Sequence, residues 1–282
     1  MEVLYDTDQM QRRMTVLRAE GRAIGFVPTM GSLHEGHLSL FRSARRENSI
    51  LAVSIFVNPT QFDRQEDLES YPVDLEGDLA KAAAEGADLV FVPEQKRMYP
   101  DRYATFIEVE GLTRRWEGTY RPGHFRGVTT IVAKLFHIVK PHRAYFGQKD
   151  YQQACVITRM VRDLDMDIEV VVLPTVREPD GLAMSSRNVN LTPGERRQAP
   201  VLYQALGWAA DQVRRGERDA RRLSEGMRRM IQEGTTATID YVALCDPGSL
   251  EPLETVQGPA VALLAARFSK ARLIDNLLID GH

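Results

Sequence analysis

Ala23-Ile24-Gly25-Phe26-Val27-Pro28-Thr29-Met30-Gly31-Ser32-Leu33-His34-Glu35-Gly36-His37 passes from an apolar run of strand length, through a turn, into a segment with helical apolar spacing from Leu33 to about Asn48. A turn of this kind leaves unpaired backbone N–H groups and the positive end of a helix dipole over the end of the strand. Phosphate is the natural occupant. His34 and His37 lie three apart, on one face of the first helical turn, where two imidazoles donate hydrogen bonds to phosphoryl oxygens as charge develops. Gly36 leaves room for a nucleotide to approach the backbone. Two polar residues at an exposed helix start need no ligand at all, but two histidines with Gly31 and Gly36 at a strand-to-helix turn favour nucleotide binding. Zinc would need a third ligand, and none is near in sequence.

Working outward, the spacing predicts a helix at Asp6 to Glu20, with Met10, Met14 and Leu17 on one face and Gly21 as a stop signal. Downstream, strands at Ile50 to Val57, Leu89 to Val92, Ala144 to Phe146 and Ile168 to Val172 alternate with helices at Leu75 to Glu85, Val128 to Val139 and Tyr151 to Leu164. Phe106 to Val109 is a further candidate strand. Runs rich in Val, Ile and Phe, rather than alternating with polar residues, argue for an α/β fold: a parallel sheet with helices on both faces. Ligands of such sheets bind outside the carboxyl ends of the strands. Leu173 to Gly181 resembles a hinge. Beyond it the pattern changes to helices at Pro193 to Arg215 and Asp219 to Glu233, then strands at Ala237 to Leu244, Val261 to Arg267 and Arg272 to Ile279, which implies a smaller α+β C-terminal domain. The expected division is 1–176 and 177–282.

At a prior of roughly 150 residues per domain, 282 residues point to two domains or one large one with ample chain to bury a core, and 43% apolar with 27% charged residues excludes disordered, collagenous and disulfide-framework classes. Thirty-six basic against thirty-nine acidic residues leave a formal charge of −3, so no global positive field gathers DNA or RNA. No membrane span is expected, since the longest uninterrupted apolar run is Ala260 to Ala266, and the N-terminus lacks a signal pattern, which points to a cytoplasmic protein. Cys155 and Cys245 form neither a metal motif nor a disulfide framework.

Three further segments carry polar chemistry. Gly147-Gln148-Lys149-Asp150 follows a predicted strand, and Lys149 there is a point charge suited to a phosphate or an anionic transition state. Asp150 serves equally as a helix N-cap. Met184-Ser185-Ser186-Arg187-Asn188 sets two hydroxyls and a guanidinium beside the hinge, a donor-rich loop of the kind that clamps β- and γ-phosphates. Phe56-Val57-Asn58-Pro59-Thr60-Gln61-Phe62 offers the neutral amides Asn58 and Gln61, which bind hydroxyl or carboxylate oxygens without an opposing charge, although a turn built on Asn58 and Pro59 explains the same residues.

With these segments in hand, Met30 to His37 resembles the HIGH motif and Met184 to Arg187 the KMSKS-type loop of the HIGH-motif nucleotidylyl transferase superfamily. Their combination with Asn58-Pro59-Thr60-Gln61-Phe62, Arg121-Pro122-Gly123-His124-Phe125-Arg126-Gly127-Val128, Phe146 to Gln153, Arg177 to Asn188, Ala265 to Arg267 and Leu273-Ile274-Asp275-Asn276 is similar to the pantothenate synthetase (pantoate:β-alanine ligase) family over almost the whole chain. The resemblance implies a Rossmann-like N-terminal domain, a cytoplasmic Mg2+-dependent homodimer, and a two-step reaction. Pantoate's carboxylate attacks the α-phosphorus of ATP to give pantoyl adenylate and pyrophosphate, and the amine of β-alanine then displaces AMP. It further implies that Met30, Gly31, Ser32, Leu33, His34, Glu35, Gly36, His37, Gly147, Gln148, Lys149, Asp150, Val176, Met184, Ser185, Ser186 and Arg187 hold ATP. Gln61 and Gln153 would hold pantoate with Asn58 close by, and His37, His34, Lys149 and Arg187 would be the catalytic set, His37 supplying a proton or a hydrogen bond. No metal ligand is named, because Glu76-Gly77-Asp78 offers only two carboxylates and a Mg2+ held by phosphates and water needs few protein groups. His124 and Arg126 either bind an anion or shape a loop. An enzyme adenylylating a phosphorylated metabolite would call for extra basic residues where Asn58, Gln61 and Gln153 stand. A tRNA-binding relative would call for a basic domain, which the net charge does not supply.

Overall fold

The computed structural model describes residues 1–69 and 71–280; positions 281 and 282 of the expected second domain lie outside them. The chain forms two compact units, one of residues 1–147 and 153–174, the other of residues 148–152 and 175 onward.

The first unit runs β1 (Glu2–Leu4), α1 (Thr7–Ala19), β2 (Ile24–Thr29), α2 (Glu35–Glu47), β3 (Ile50–Ile55), α3 (Gln65–Glu69), α4 (Leu75–Ala84), β4 (Leu89–Phe91), α5 (Gln95–Met98), α6 (Glu117–Tyr120), α7 (His124–Val139), β5 (Arg143–Gly147), most of α8 (Tyr151–Asp163) and β6 (Glu169–Leu173). The strands form one parallel sheet in the order β1-β4-β3-β2-β5-β6. Successive side chains of a strand point to opposite faces, and here both faces are apolar. Ile24, Phe26, Ile50, Ala52, Ala144 and Phe146 join the layer of α1, α7 and α8, whereas Val27, Leu51, Val53, Ile55 and Tyr145 face α2 and α4. Phe26 is fully buried and meets Phe136 of α7 edge-on at 6.5 Å.

Local chemistry sets the ends of these elements. Asp6 caps α1 by accepting from the N–H groups of Asp8 and Gln9, so the expected helix begins one residue later than its cap. The alternation read from the sequence is present, with the short helices α3, α5 and α6 added to it and differences at β1, at Phe106 to Val109 and at the start of α7. β1 was not expected: three residues are too few for periodicity, and it exists by pairing with β4. Phe106 to Val109 is not a strand. Its backbone bonds to α7 instead, Ile107 N donating to Thr130 Oγ1 at 3.0 Å and Thr129 Oγ1 donating to the Ile107 carbonyl at 2.6 Å. α7 itself begins at His124, four residues before the apolar stripe, because Gly123 in the left-handed region (φ 80°) supplies the entry turn.

The second unit contains α9 (Pro193–Gln198), α10 (Val201–Arg214), α11 (Ala220–Gly234), β7 (Thr238–Cys245), β8 (Ala260–Arg267) and β9 (Arg272–Ile279), the strands forming an antiparallel sheet β7-β8-β9. Leu206, Leu223, Met227, Ile231, Leu244 and Leu264 build its core. The single helix expected from Pro193 to Arg215 is two helices, since Pro200 has no N–H to continue the ladder. Residues 148–152 pack with this unit, so the chain passes between units three times rather than once near 176.

Candidate active site

In the first unit, β2 delivers the turn 30–34 into α2. Gly31 (φ 83°) and Ser32 (φ 51°) are both left-handed, and a Cβ on Gly31 would lie 2.8 Å from the Asp78 carboxylate. That carboxylate, buried on α4, accepts from Ser32 N and Leu33 N at 2.7 Å each, and Thr29 Oγ1 accepts from Gly31 N at 3.2 Å. The backbone N–H groups of Gly31, Ser32 and Leu33 are thus filled by the protein.

The histidines close the turn on themselves. His34 Nδ1 accepts from Gly36 N at 3.1 Å, and His37 Nδ1 accepts from His34 N at 3.3 Å, a reciprocal cap in which both members are imidazoles, with ring centroids 4.1 Å apart. A ring nitrogen that accepts carries no proton, so the neutral tautomer of both rings has its N–H at Nε2. Glu35 pairs with Arg42, which also bonds Glu85 at 2.6 Å and ties the start of α2 to α4. Beside this turn, a cavity of about 250 Å³ opens at the carboxyl ends of β2, β3 and β4, walled by Met30, Phe56, Val73, Leu75, Asp78 and Pro93.

β3 delivers the second turn, a single 3-10 turn at Pro59–Gln61. Asn58 is 1% exposed and uses every donor and acceptor it has. Its oxygen accepts from Tyr99 Oη at 2.8 Å and Thr60 Oγ1 at 3.0 Å, and its NH2 donates to Gln61 Oε1 at 3.0 Å and to the Gly127 carbonyl at 3.1 Å. All four side-chain hydrogen-bonding positions of Asn58 are thus engaged within the protein, which sets it behind Gln61. Gln61 turns its NH2 toward Met30 Sδ at 3.0 Å, joining the two turns. The Gln61 carbonyl receives His124 Nδ1 at 2.8 Å and Arg121 Nη2 at 3.2 Å. His124 thus shapes this loop, and Arg126 stacks over Phe106 at 3.7 Å. Gly127 is required by proximity, since a Cβ there would lie 2.3 Å from the Thr60 carbonyl. Gln153, half-buried, stands in the first turns of α8.

In the second unit, Gln148–Asp150 is a 3-10 turn held against β9. Asn276 Nδ2 donates to the carbonyls of Gln148 and Lys149 at 2.9 Å each, while Gln148 Nε2 donates to Asn276 Oδ1 at 3.2 Å. Lys149 Nζ lies 3.6 Å from the Asp150 carboxylate. Next to Asn276, buried Asp275 takes both nitrogens of Arg177, at 2.7 and 2.9 Å, and the guanidinium stacks on Tyr203 at 3.8 Å. Burial pushes the Asp275 carboxyl up, against the pull of Arg177. The hairpin from Arg177 to Ala183 continues into the loop Met184–Arg187, where Ser185 Oγ accepts from Arg187 N and opens a 3-10 turn from Ser186 to Asn190. The carbonyl of Val176 receives Met184 N at 3.0 Å. Arg196 braces this hairpin through Glu178 and Asp180, at 2.6 Å each, and Asn188 braces it through Glu178 at 3.1 Å.

The two units gather the expected residues into distinct groups: Met30 to His37 with Gln61 in the first, Gln148 to Asp150, Val176 and Met184 to Arg187 in the second, with Gly147 closing β5. Reading the sequence missed the supports. In the sequence Asp78 stands only as one of two nearby carboxylates, and Tyr99 carries no signal, being one tyrosine before a proline. Asp275 and Asn276 did carry one: two polar residues inside the apolar strand Leu273-Ile274-Asp275-Asn276-Leu277-Leu278 require buried partners.

The sequence model of the Pantoate-beta-alanine ligase family matches residues 2–278. Pantothenate synthetase of Moorella thermoacetica is 52% identical over 280 residues, covering 99% of each chain, and that of Thermotoga neapolitana is 52% identical over 279 residues, covering 99% of this chain and 100% of the other. A crystal structure of pantothenate synthetase from Thermus thermophilus superposes with a TM-score of 0.93 at 47% identity, over 98% of this chain and 99% of that one. Pantoate-beta-alanine ligase from Francisella tularensis, complexed with beta-gamma ATP and beta-alanine, gives a TM-score of 0.81 at 36% identity, over 99% of this chain and 97% of that one.

Proposed function

Because the chain belongs to the pantoate–β-alanine ligase family, we infer that it joins the carboxylate of pantoate to the amine of β-alanine with cleavage of ATP. It is a carbon–nitrogen ligase. The relative crystallised with β-γ ATP and β-alanine supports these two as substrates. The observation that carries the assignment of the site is the reciprocal cap of His34 and His37, which engages both Nδ1 atoms and puts the proton of each neutral ring on Nε2.

In the first step a pantoate oxygen attacks the α-phosphorus, a P–O bond forms, and the bond to pyrophosphate breaks. Two anions approach and negative charge gathers on the leaving group, so fixed donors and cations lower the barrier, each well-placed donor by roughly 2.7–4 kcal/mol. His34 and His37 of the first unit, and Lys149, Ser185, Ser186 and Arg187 of the second, are the set assigned to the nucleotide. The occupied Nδ1 atoms favour His37 acting as a hydrogen-bond donor rather than a proton donor, since a proton added at Nδ1 would face the His34 N–H. Gln61 and Gln153 are assigned to pantoate. Neutral amides orient the acid without an arginine tying up the attacking lone pairs. In the second step the β-alanine amine adds to the acyl carbon and AMP leaves.

Among the described residues no group of three or more His, Cys, Asp or Glu could hold a metal ion, and the Asp78 carboxylate is engaged with Ser32 and Leu33. Mg2+ would arrive with the triphosphate and keep its waters, where it would neutralise phosphate charge. A cytoplasmic homodimer completes the reading; no helix among the described residues is long and apolar enough to cross a membrane. The reaction is tested by product analysis. Pantothenate, AMP and pyrophosphate in equal amounts are expected, while ADP and phosphate would replace the adenylate with an acyl phosphate.

A further inference from the structure

We propose that Tyr99 is a positioning residue for pantoate, acting through Asn58 to hold the Gln61 amide with its N–H edge available to the substrate. The proposal rests on the assignment of Gln61 to pantoate and explains how that amide is oriented. An amide reads a ligand as donor or acceptor according to which way it is turned, and nothing in its own rotamer decides between the two. Here the turn is set from outside. Tyr99 Oη and Thr60 Oγ1 donate to the Asn58 oxygen, and the acceptor-only Gly127 carbonyl takes one N–H of its amide, so the three together hold the Asn58 oxygen toward the hydroxyls and its NH2 away. That NH2 then donates to Gln61 Oε1, which fixes the Gln61 oxygen inward and leaves Nε2 at Met30 Sδ, a weak acceptor that a substrate oxygen readily replaces. Arg121 and His124 hold the Gln61 backbone carbonyl, so the side-chain polarity is what remains for Asn58 to set. Burial holds the Tyr99 hydroxyl up at about 12, so it stays an O–H donor throughout the working range. Tyr99 is thereby one link behind Asn58 and two behind the residue that touches ligand.

The chain of donors predicts how two substitutions combine. Gln61→Ala raises the KM for pantoate at least about tenfold, the range for losing a hydrogen bond to a charged group. Tyr99→Phe keeps the ring in its pocket, removes one donor to Asn58 and raises the KM for pantoate about three- to tenfold, with kcat and the KM for ATP nearly unchanged. In the Gln61→Ala background Tyr99→Phe adds nothing, because the group it orients is gone. A purely structural tyrosine would instead lower the thermal midpoint and multiply into both backgrounds. Thr60→Val removes the other donor and carries the same cycle if Tyr99→Phe does not fold. An independent, multiplicative effect of Tyr99→Phe, or no effect where Gln61→Ala has one, overturns the proposal and leaves Gln61 on pantoate. An unchanged KM in Gln61→Ala overturns the assignment of Gln61 and the proposal with it.

Discussion

Two imidazoles that accept backbone N–H groups at Nδ1 carry the proton of the neutral ring on Nε2, and the phosphate role proposed for His34 and His37 follows from that tautomer. The role is a donor's, so an amide NH2 of similar reach replaces part of it. His37→Ala is expected to lower kcat by about 10²-fold or more, the usual loss for one oxyanion donor, and His37→Gln to recover a measurable part of that loss. If His37→Gln is as slow as His37→Ala in steady-state assays, proton transfer by His37 displaces hydrogen bonding. At this scale the sequence exposed the groups with unusual chemistry and concealed those that hold them. The paired histidines and Lys149 stand out because such residues just past strand ends have few structural uses, and Arg187 because it follows two adjacent hydroxyls in a polar loop. Tyr99 and Asp78 do not, since their partners lie 41 and 46 residues away and no local pattern links them.

Elements were legible wherever a stripe of apolar residues had to be buried, and illegible where a side chain from elsewhere supplied the backbone partner. Met10, Met14 and Leu17 announce α1; Phe106 to Val109 has strand composition, yet the threonines of α7 occupy its backbone groups. The start of α9 shows the electrostatics of an element end. Thr192 and Glu195 form a reciprocal cap, and the Glu195 carboxylate also accepts from Ser269 N at 2.8 Å. These backbone N–H groups lower its pKa from the ordinary 4.5 to about 2. A carboxyl with a depressed pKa in the folded state contributes stability that is fully present above 4.5 and fades as pH falls toward 2. Glu195→Gln should therefore melt below the wild type near neutral pH, with the gap closing between about pH 4.5 and 2. Thermal melts across that range check it, and a gap independent of pH would remove the charge from the explanation.

For the whole molecule, the parallel sheet with helices on both faces and the smaller antiparallel unit were both readable from the order of apolar segments. The three passages of the chain between units were not, because residues 148–152 join the second unit through Asn276 and Tyr151, side chains whose partners a linear reading does not reveal. The loop Met184–Asn188 belongs to the second unit, and the mixed anhydride must be kept from water. We therefore expect ATP to slow protease cleavage within 184–188, and equal cleavage with and without ATP would remove the support for loop closure. In the proposed reaction the first unit's histidine turn serves the formation of an acyl adenylate. Isotope exchange between pyrophosphate and ATP tests it most directly. With pantoate present and β-alanine absent, rapid exchange is expected, falling sharply in His37→Ala. Exchange that requires β-alanine, or that pantoate does not support, would contradict the adenylate route.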